Sequence, residues 1–381
     1  MEFDFERDQF LSLWRFIMMN GISSYLVNFS DRRGGARVLR CVGFAFMGLV
    51  VGLMVGGGRT VVAGPPDKVV RAGGWSPIEI EVDPYGIEWC VVGDVNNPPF
   101  PGHKYTGDFK GEGSVPYVYR MTRTEIKVRE YLDFVIAYAP FYDGNPRSMD
   151  LTGAYIFGSG SGEDYKAEIP PGMEELGTTM SMRMAARFCN WMQNGRVNEK
   201  WAFETGVYDT STFTRNEDGS FNDDYTKSPD ARYWIPSVGE WLKGVYYDPN
   251  RYGVGMSGWW RQPNGSDAPA RIGFPLSAGL ALRAGETNAS LGRFYIDFHW
   301  WSSGLYPEKH SPWGLLDTSG GASEMTDVWE FGSAIEDYAM YVPMEDEAGT
   351  YGGLVLHFPT IAIGWGVRLA SRVPVQNINP R

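Results

Sequence analysis

A turn rich in Gly, Ser and Thr lies in the middle of the stretch 311–330 and is followed by two carboxylates. Glu324 and Asp327 come after Gly320 and Gly321, which can adopt positive φ or allow close backbone approach. A turn of this kind presents backbone carbonyls and a carboxylate to one point, which suits a hard cation such as calcium. The alternative is a loop held in the core by its tryptophans, with Glu324 simply hydrogen-bonded. These residues taken alone favour the hydrogen-bonded alternative.

Other residue types that carry chemistry do not form recognisable sets. The four histidines lack the spacing of metal ligands, and the sequence contains no Gly-x-Ser-x-Gly or Cys-x-x-Cys motif. Beyond the N-terminal apolar run, Cys90 and Cys189 are the two cysteines, and they could pair in an oxidising compartment without forming a disulfide framework. Cys189 lies on an apolar helix face, so we interpret both residues as small buried hydrophobes.

Two tryptophan pairs are candidate ligand contacts. They are Trp259 with Trp260, and Trp300 with Trp301. Exposed tryptophans are typical contact residues because they combine a large apolar face with a hydrogen-bond donor. The alternative is that the rings fill the core, and we expect this for at least one of the two pairs.

Composition limits the classes of function. The 381 residues are 43% hydrophobic and 15% aromatic, enough for a sizeable core and against disorder. The formal net charge is −12, and no run of Lys and Arg follows the N-terminal region. Nucleic acid is therefore excluded as a partner, because neutralising phosphates requires clustered cations.

The N-terminal region has the order of a secretory signal. Residues 41–56 form the longest apolar run, and Val61-Val62-Ala63 follows as a small-residue cleavage signal. Four arginines precede the run: Arg32, Arg33, Arg37 and Arg40. We predict cleavage after Ala63 and a secreted, periplasmic or cell-surface location. Two alternatives remain open, a later start at Met18 or Met19, or an uncleaved signal anchor that would bring the chain to a membrane.

Apolar periodicity predicts one helix early in the chain after two strands. The strands are expected at 87–92 and 115–121, and 143–177 has no periodicity and is expected to be a flexible excursion. The helix stripe recurs at i, i+3, i+4, i+7 and i+8, through Val128, Tyr131, Leu132, Val135 and Ile136.

Two further helices carry capping signals. Ser181 can cap a helix over 182–193, and Ser237 with Glu240 has the spacing of a capping box. The first helix is expected to bury Met184, Phe188, Trp191 and Met192. The second is expected to bury Trp241, Leu242 and Val245.

The stretch 311–325, SPWGLLDTSGGASEM, resembles a known signature. In the formylglycine-generating enzyme (sulfatase-modifying factor) family the signature is Asn-Pro-Phe-Gly-Leu-Tyr-Asp-Met-x-Gly-Asn-Val-Trp-Glu-Trp. The matching positions are Gly314, Leu315, Asp317, Gly320 and Glu324. The departures are Ser311 for the leading Asn, Gly321 for the second Asn, and Ser323 and Met325 for the two tryptophans.

Four more stretches resemble the same family. YWIPSVGEWLKGVYY at 233–247 is similar to Arg-Leu-Pro-Thr-Glu-Ala-Glu-Trp-Glu-Tyr-Ala-Ala, and AARFCNWMQNG at 185–195 to Ala-x-x-Phe-Cys-x-Trp-Leu. YRMTRTEIKVREY at 119–131 resembles a strand ending in Glu-Val-Thr that leads into a helix, and GWGVRLAS at 364–371 resembles a terminal Gly-Phe-Arg-x-Ala strand. The chain looks like the exported bacterial branch of this superfamily.

The resemblance implies an α+β fold, an elaborated C-type-lectin-like architecture with an antiparallel sheet, few helices and long loops. It implies one domain at 87–372, preceded by an N-terminal extension with its signal at 1–63 and a linker at 64–86. Residues 373–381 would be a C-terminal tail.

The family's oxidase chemistry is not expected to carry over. The family converts a substrate cysteine to formylglycine with copper held by two cysteine thiolates near the C-terminus, and Cu(I) requires such soft ligands. The corresponding stretch 352–368, GGLVLHFPTIAIGWGVR, contains no cysteine. Copper is therefore not expected, and the chain is interpreted as a pseudoenzyme.

Calcium is the ligand that the resemblance does support. One family site uses Asn and Asp side chains with carbonyls, and Asn288 and Asp297 stand at suitable positions. A second uses the signature Asn, carbonyls and the Glu, of which Glu324 and backbone groups remain. Calcium takes six to eight oxygens, so Gly321 should weaken that second site. The alternative is that Asn288 caps a turn and Asp297 is solvated.

The leading hypothesis from the sequence is a secreted, non-catalytic protein that binds a protein, peptide or glycan on long aromatic loops. Two alternatives stay open, an enzyme of the same superfamily acting through an unidentified site, and a structural component of the envelope.

Overall fold

A computed structural model gives two units of the chain, Met1–Asp67 and Lys68–Arg381. It describes 78–102, 109–217, 221–268, 270–271, 286–287, 303–318, 323–327, 331–334, 351–354 and 365–374, together with strands at 26–30 and 36–40. In the first unit, β1 (Leu26–Ser30) pairs antiparallel with β2 (Ala36–Arg40). The apolar run 41–56 and the predicted cleavage site lie outside the described residues. Among the described helices, none has the length and apolar character needed to span a bilayer.

A five-stranded antiparallel sheet is the centre of the second unit. Its strands are β3 (Ile80–Val82), β4 (Glu88–Val92), β5 (Tyr119–Thr122), β10 (Tyr233–Trp234) and β17 (Ala370–Ser371), in the order β10-β17-β5-β4-β3. In the central register, Met121 of β5 lies between Cys90 of β4 and Ala370 of β17. β3, the edge strand of this sheet, lies within 64–86, the stretch that the sequence predicted to be a linker.

A four-stranded sheet contains the second half of the signature stretch. Its order is β15-β14-β13-β16, formed by β13 (Ser323–Met325), β14 (Phe331–Ala334), β15 (Tyr351–Leu354) and β16 (Trp365–Val367). β13 and β16 are parallel, with Glu324 opposite Gly366, while the other pairs are antiparallel. This register brings the signature stretch beside the C-terminal stretch.

Three hairpins complete the described strands. They pair β6 (Phe157–Ser159) with β7 (Lys166–Glu168), β8 (Thr214–Arg215) with β9 (Phe221–Asn222), and β11 (Tyr247–Asp248) with β12 (Gly258–Trp259). The first hairpin and helix α2 (Met149–Thr152) lie in 143–177, which the sequence predicted to be flexible. Tyr165 and Leu151 are buried there, and the Tyr165 hydroxyl donates to the Pro146 carbonyl, so long-range packing orders this segment.

Helix α1 (Val128–Tyr138) places Phe134 at the centre of an aromatic cluster. The Phe134 ring contacts the rings of Tyr131, Tyr138, Phe188, Trp191 and Phe203 at centroid distances of 5.2–5.9 Å. Ile136, which the predicted stripe placed inside, is 41% exposed. The buried face is therefore centred on Phe134, since its aromatic partners Phe188, Trp191 and Phe203 lie on this side of α1.

Helices α3 (Met182–Gln193) and α4 (Lys200–Glu204) pack together behind this cluster. The Met184 amide donates to the Ser181 hydroxyl, which confirms the predicted cap. The predicted face of α3 is confirmed, because Met184, Phe188, Trp191 and Met192 are all buried. Short 3₁₀ turns at Ala139–Phe141, Gly162–Asp164 and Thr210–Thr212 connect these elements.

Helix α5 (Val238–Tyr246) begins with the predicted capping box. The Glu240 amide donates to the Ser237 hydroxyl at 3.1 Å, and the Ser237 amide donates to Glu240 Oε2 at 2.7 Å. Both bonds satisfy amides that a helix N-terminus would otherwise leave unpaired. Trp241, Leu242 and Val245 are buried as predicted. With few helices and mainly antiparallel short strands, the described residues form an α+β fold.

Candidate ligand-binding site

A buried ion pair joins the signature stretch to the C-terminal stretch. Arg368 Nε donates to Glu324 Oε1 at 2.7 Å, and both side chains are at most 3% exposed. The Trp241 indole donates to Glu324 Oε2 at 2.5 Å. Burial opposes the positive charge of Arg368, but Glu324 and neighbouring carboxylates outweigh it and raise its pKa. The pair is therefore an internal, charge-balanced centre.

The remaining donors of Arg368 bind backbone carbonyls. Nη1 donates to the carbonyls of Thr122 and Arg123, and Nη2 donates to that of Leu316 at 2.5 Å. A guanidinium whose nitrogens are all engaged can remain buried and charged. This group holds the end of β5 and the start of the signature stretch in place, which is a structural role.

Glu324 is thus hydrogen-bonded inside the protein, as the residues of the stretch 311–330 taken alone indicated. Its two oxygens accept hydrogen bonds from a guanidinium and an indole. The assignment of Glu324 as a calcium ligand stays a prediction. Asn288 and Asp297 lie outside the described residues. Within the described part of the chain, no three His, Cys, Asp or Glu side chains are grouped as metal ligands.

The two tryptophans of the first pair, Trp259 and Trp260, have different surroundings. Trp259 is 7% exposed and packs against the rings of Phe100 and Tyr247, each at 5.1 Å, which is the core-filling alternative. Trp260 is half-buried, and its indole donates to Asp248 at 3.0 Å. Trp259 is therefore a support rather than a surface contact. Trp300 and Trp301 lie outside the described residues.

Trp260 adjoins an exposed apolar turn at 250–256. The Arg251 guanidinium lies 4.8 Å from the Trp260 ring and 4.7 Å from the Tyr252 ring, and it is held by both oxygens of Asp267 at 2.7 Å. Tyr252, Val254 and Met256 are 63%, 74% and 56% exposed. Exposed apolar side chains grouped in this way mark contact surfaces.

A cleft of about 350 Å³ opens at the N-terminus of α5, and we refer to it as the acidic cleft. Its lining consists of Phe109, 112–117, 237–240 and Asp327. The segment before β5 forms one wall, and the first turn of α5 with the residues after β13 forms the other. A volume of this size is at the small end of ligand sites and suits one side chain or one small ring.

Two glycines allow the walls of the acidic cleft to approach each other. A Cβ at Gly239 would lie 3.3 Å from the Gly113 amide nitrogen. Gly113 has φ of +81°, and a Cβ there would lie 2.6 Å from the Trp259 ring. The buried Trp259 thus supports the wall of the cleft from behind.

Glu240 lies beneath the cleft and is fully buried. The Tyr117 hydroxyl donates to Oε1 at 2.8 Å, and the Trp234 indole donates to both oxygens at 3.0–3.1 Å. Burial and the charge of Glu240 raise the pKa of Tyr117, so the phenol stays protonated and remains a donor. Lys227 Nζ completes the shell at 3.4 Å from Oε1.

The positive end of α5 already has an acidic partner. Asp327 Oδ1 accepts from the Val238 amide at 3.2 Å, and the Asp327 amide donates to the Pro236 carbonyl. A carboxylate at this position complements the helix dipole. Glu112 is exposed in the opposite wall, and its carboxylate makes no hydrogen bond within the described residues. The three charged residues in the described lining of the cleft, Glu112, Glu240 and Asp327, are therefore all carboxylates.

Sequence reasoning identified the capping box and Asp327 but not the cleft. Glu112 and Tyr117 carry no motif, and they reach α5 only through the order of strands in the sheet. Residues 116–118 lie within the predicted strand 115–121, but the observed strand begins at Tyr119 and these residues are exposed, so the sequence carried no signal for the site.

Neither cysteine contributes to the site. Cys90 and Cys189 are free and buried, as predicted. Burial raises the pKa of Cys90 to about 12 and that of Cys189 further still. Because the thiolate is the nucleophile and the metal ligand, both thiols are inert at neutral pH.

Comparison with known proteins finds distant structural similarity. No family model and no curated protein matches the sequence. Among solved structures, the chain is similar to variable protein 1 of Treponema denticola, with a TM-score of 0.39 and 13% identity over 78% of this chain and 100% of that chain. It is also similar to CarF, with a TM-score of 0.36 and 16% identity over 75% of this chain and 98% of that chain. The function of this chain is therefore inferred from its own geometry.

Proposed function

We propose that this chain is an exported, non-catalytic binding protein with the elaborated C-type-lectin-like architecture of formylglycine-generating-enzyme-like proteins. Its ligand is a protein, peptide or glycan that enters the acidic cleft. The observation that carries the proposal is the cleft itself, with a volume of about 350 Å³ and a Tyr117 ring that is 40% exposed at its wall. An aromatic face beside an exposed carboxylate is a common arrangement for holding a ligand by stacking and hydrogen bonds.

The electrostatics of the cleft favour binding over catalysis. Glu240 is held by several donors, and Tyr117 keeps its proton. A general acid or base needs a pKa near the working pH and a proton that can leave. Tyr117 instead keeps its proton, and Glu240 is held in position by hydrogen bonds, which suits recognition.

The exposed turn at 250–256 supplies a second surface on the same domain. Trp260 and Tyr252 enclose Arg251, so the aromatic faces are pre-organised before a partner arrives. Rigid aromatic anchors lose little entropy on binding, which is why they dominate contact energies. A peptide or protein ligand can therefore extend beyond the cleft.

A screen of the full chain on glycan and peptide arrays tests the proposal, with Tyr117→Ala as the cleft variant. The matched control is Phe157→Ala, because Phe157 is also an exposed aromatic residue and lies on another hairpin. We expect array ligands that bind the wild type and the control and are lost or strongly weakened with Tyr117→Ala. Absence of any ligand, or equal binding by Tyr117→Ala in a folded state, contradicts the proposal.

A further inference from the structure

One cationic side chain of this chain, Lys227, lies against two lining residues of the acidic cleft, Tyr117 and Glu240. The ammonium of Lys227 lies 4.5 Å from the centroid of the Trp234 ring and 5.9 Å from that of Tyr117. It also lies 3.4 Å from Glu240 Oε1 and 3.5 Å from the Tyr117 hydroxyl oxygen. Aromatic faces combined with a carboxylate are the usual surroundings of a bound ammonium group.

The charged residues in the described lining of the cleft are carboxylates. Lys227 pairs with Glu240, and Asp327 accepts a hydrogen bond from the first turn of α5 through Oδ1. Glu112 is left over in the cleft wall, exposed and without a partner in the described part of the chain. An anionic ligand would meet Glu112 and Asp327 directly. A cationic ligand would meet two carboxylates and an aromatic ring.

The size of the cleft restricts the cation further. About 350 Å³ between Phe109, Tyr117 and the first turn of α5 fits one long side chain with an apolar stem. Long cationic side chains place their methylene groups along apolar surface and keep the charged end at polar groups. Phe109, Pro116 and the Tyr117 ring provide the apolar surface, and Glu112 and Asp327 provide the polar end.

We infer that the acidic cleft takes a lysine side chain of a peptide or protein partner, with its ammonium at Glu112 and Asp327 and its stem against Tyr117. This inference rests on the proposed binding function and names the ligand class of the same site. Lys227 holds the neighbouring position and reduces the negative charge that the ligand meets.

The experiment is a calorimetric titration of the full chain with a capped Gly-Gly-Lys-Gly-Gly peptide at low ionic strength. The comparison peptide has norleucine in place of lysine, which keeps the stem and removes the ammonium. We expect binding of the lysine peptide and at least tenfold weaker binding of the norleucine peptide. Affinity should fall with salt, since the Debye length shortens from about 30 Å at 0.01 M to about 10 Å at 0.1 M.

Two variants and a control locate the binding. Glu112→Gln should weaken binding roughly 2- to 5-fold, as expected for loss of one exposed charge pair. Lys227→Met should strengthen it by a similar factor, because it removes a competing cation. Glu163→Gln, a change of the same type on an exposed turn elsewhere, should leave binding unchanged. Glu112 is exposed, so its variant keeps the fold, and the result does not depend on stability.

Several results overturn the inference. Equal affinity for the lysine and norleucine peptides would show that charge is not recognised. An effect of Glu163→Gln equal to that of Glu112→Gln would show that the attraction is not local. If n-butylammonium binds as tightly as the peptide, the ligand is a free amine and the assignment to a peptide or protein is wrong. Binding of a neutral glycan that Tyr117→Ala abolishes, without binding of the lysine peptide, would refute the lysine inference while leaving the proposed binding function intact.

Discussion

Replacing Glu324 by glutamine tests whether the buried ion pair is the structural centre of the domain. The glutamine side chain would keep nearly the same shape and could still accept from Trp241, but it would leave the charge of Arg368 buried without this counter-ion. Removing one partner of a buried pair costs about 3–5 kcal/mol in free energy of unfolding. At roughly 2 °C per kcal/mol for a large domain, the melting temperature should fall by about 6–10 °C.

The matched control is Glu175→Gln, because Glu175 also binds two cations but lies at the surface. Its oxygens accept from Lys127 at 2.8 Å and from Arg129 at 2.6 Å, with half of its side chain exposed. Exposed pairs contribute about 0–1 kcal/mol, so this variant should melt within about 2 °C of the wild type. Thermal and urea unfolding followed by circular dichroism measure both variants. Similar losses for the two variants would refute the reasoning from burial.

Three further predictions concern a lysine, a glycine and calcium. Burial lowers the pKa of Lys243 from its ordinary value of 10.5 to about 8, so the unfolded chain binds more protons between these pH values and stability rises with pH. The free energy of unfolding of the wild type should therefore rise relative to that of Lys243→Met by up to about 1.4 kcal/mol per pH unit between pH 8 and 10.5, and parallel pH profiles from urea unfolding would contradict this. Gly113→Ala should lower the free energy of unfolding by about 1–3 kcal/mol more than Gly111→Ala does. Both glycines have positive φ, but only a Cβ at Gly113 would meet the Trp259 ring, and equal melting temperatures of the two variants would exclude that contact. Calcium at a hundredfold excess over its dissociation constant should raise the free energy of unfolding of the wild type by roughly 2.7 kcal/mol, and that of Asp297→Ala by much less. Identical melting curves of the wild type with calcium and with chelator would mean that Asp297 binds no calcium.

The parts of the fold that the sequence predicted are those fixed by neighbours in the chain. The capping box at Ser237 and Glu240 was predictable because both partners lie within one helical turn. The inward stripe of α3 was predictable for the same reason. The predicted stripe of α1 missed its true centre, because Phe134 is selected by Phe188 and Phe203, which come 54 and 69 residues later (188 − 134 and 203 − 134).

What the sequence did not predict depends on distant partners. The segment 143–177 lacks periodicity, yet Tyr165 and Leu151 anchor it in the core. The acidic cleft joins Glu112 to Asp327, which are 215 residues apart (327 − 112), and the tertiary fold alone makes them neighbours. A pattern confined to short windows contains no information about such pairs.

The stretches that resemble the formylglycine-generating family meet at Glu324 and Arg368. Glu324 comes from the signature stretch, Arg368 from the C-terminal stretch and Trp241 from the helix stretch, while the carbonyls of Thr122 and Arg123 come from the first stretch. These contacts lie in the interior of the domain and carry no statement about chemistry at its surface. Helix α5 connects the buried ion pair with the acidic cleft, because its inner side places Trp241 against Glu324 and its first turn forms a wall of the cleft. The same short helix therefore contacts the buried ion pair on one side and the acidic cleft on the other.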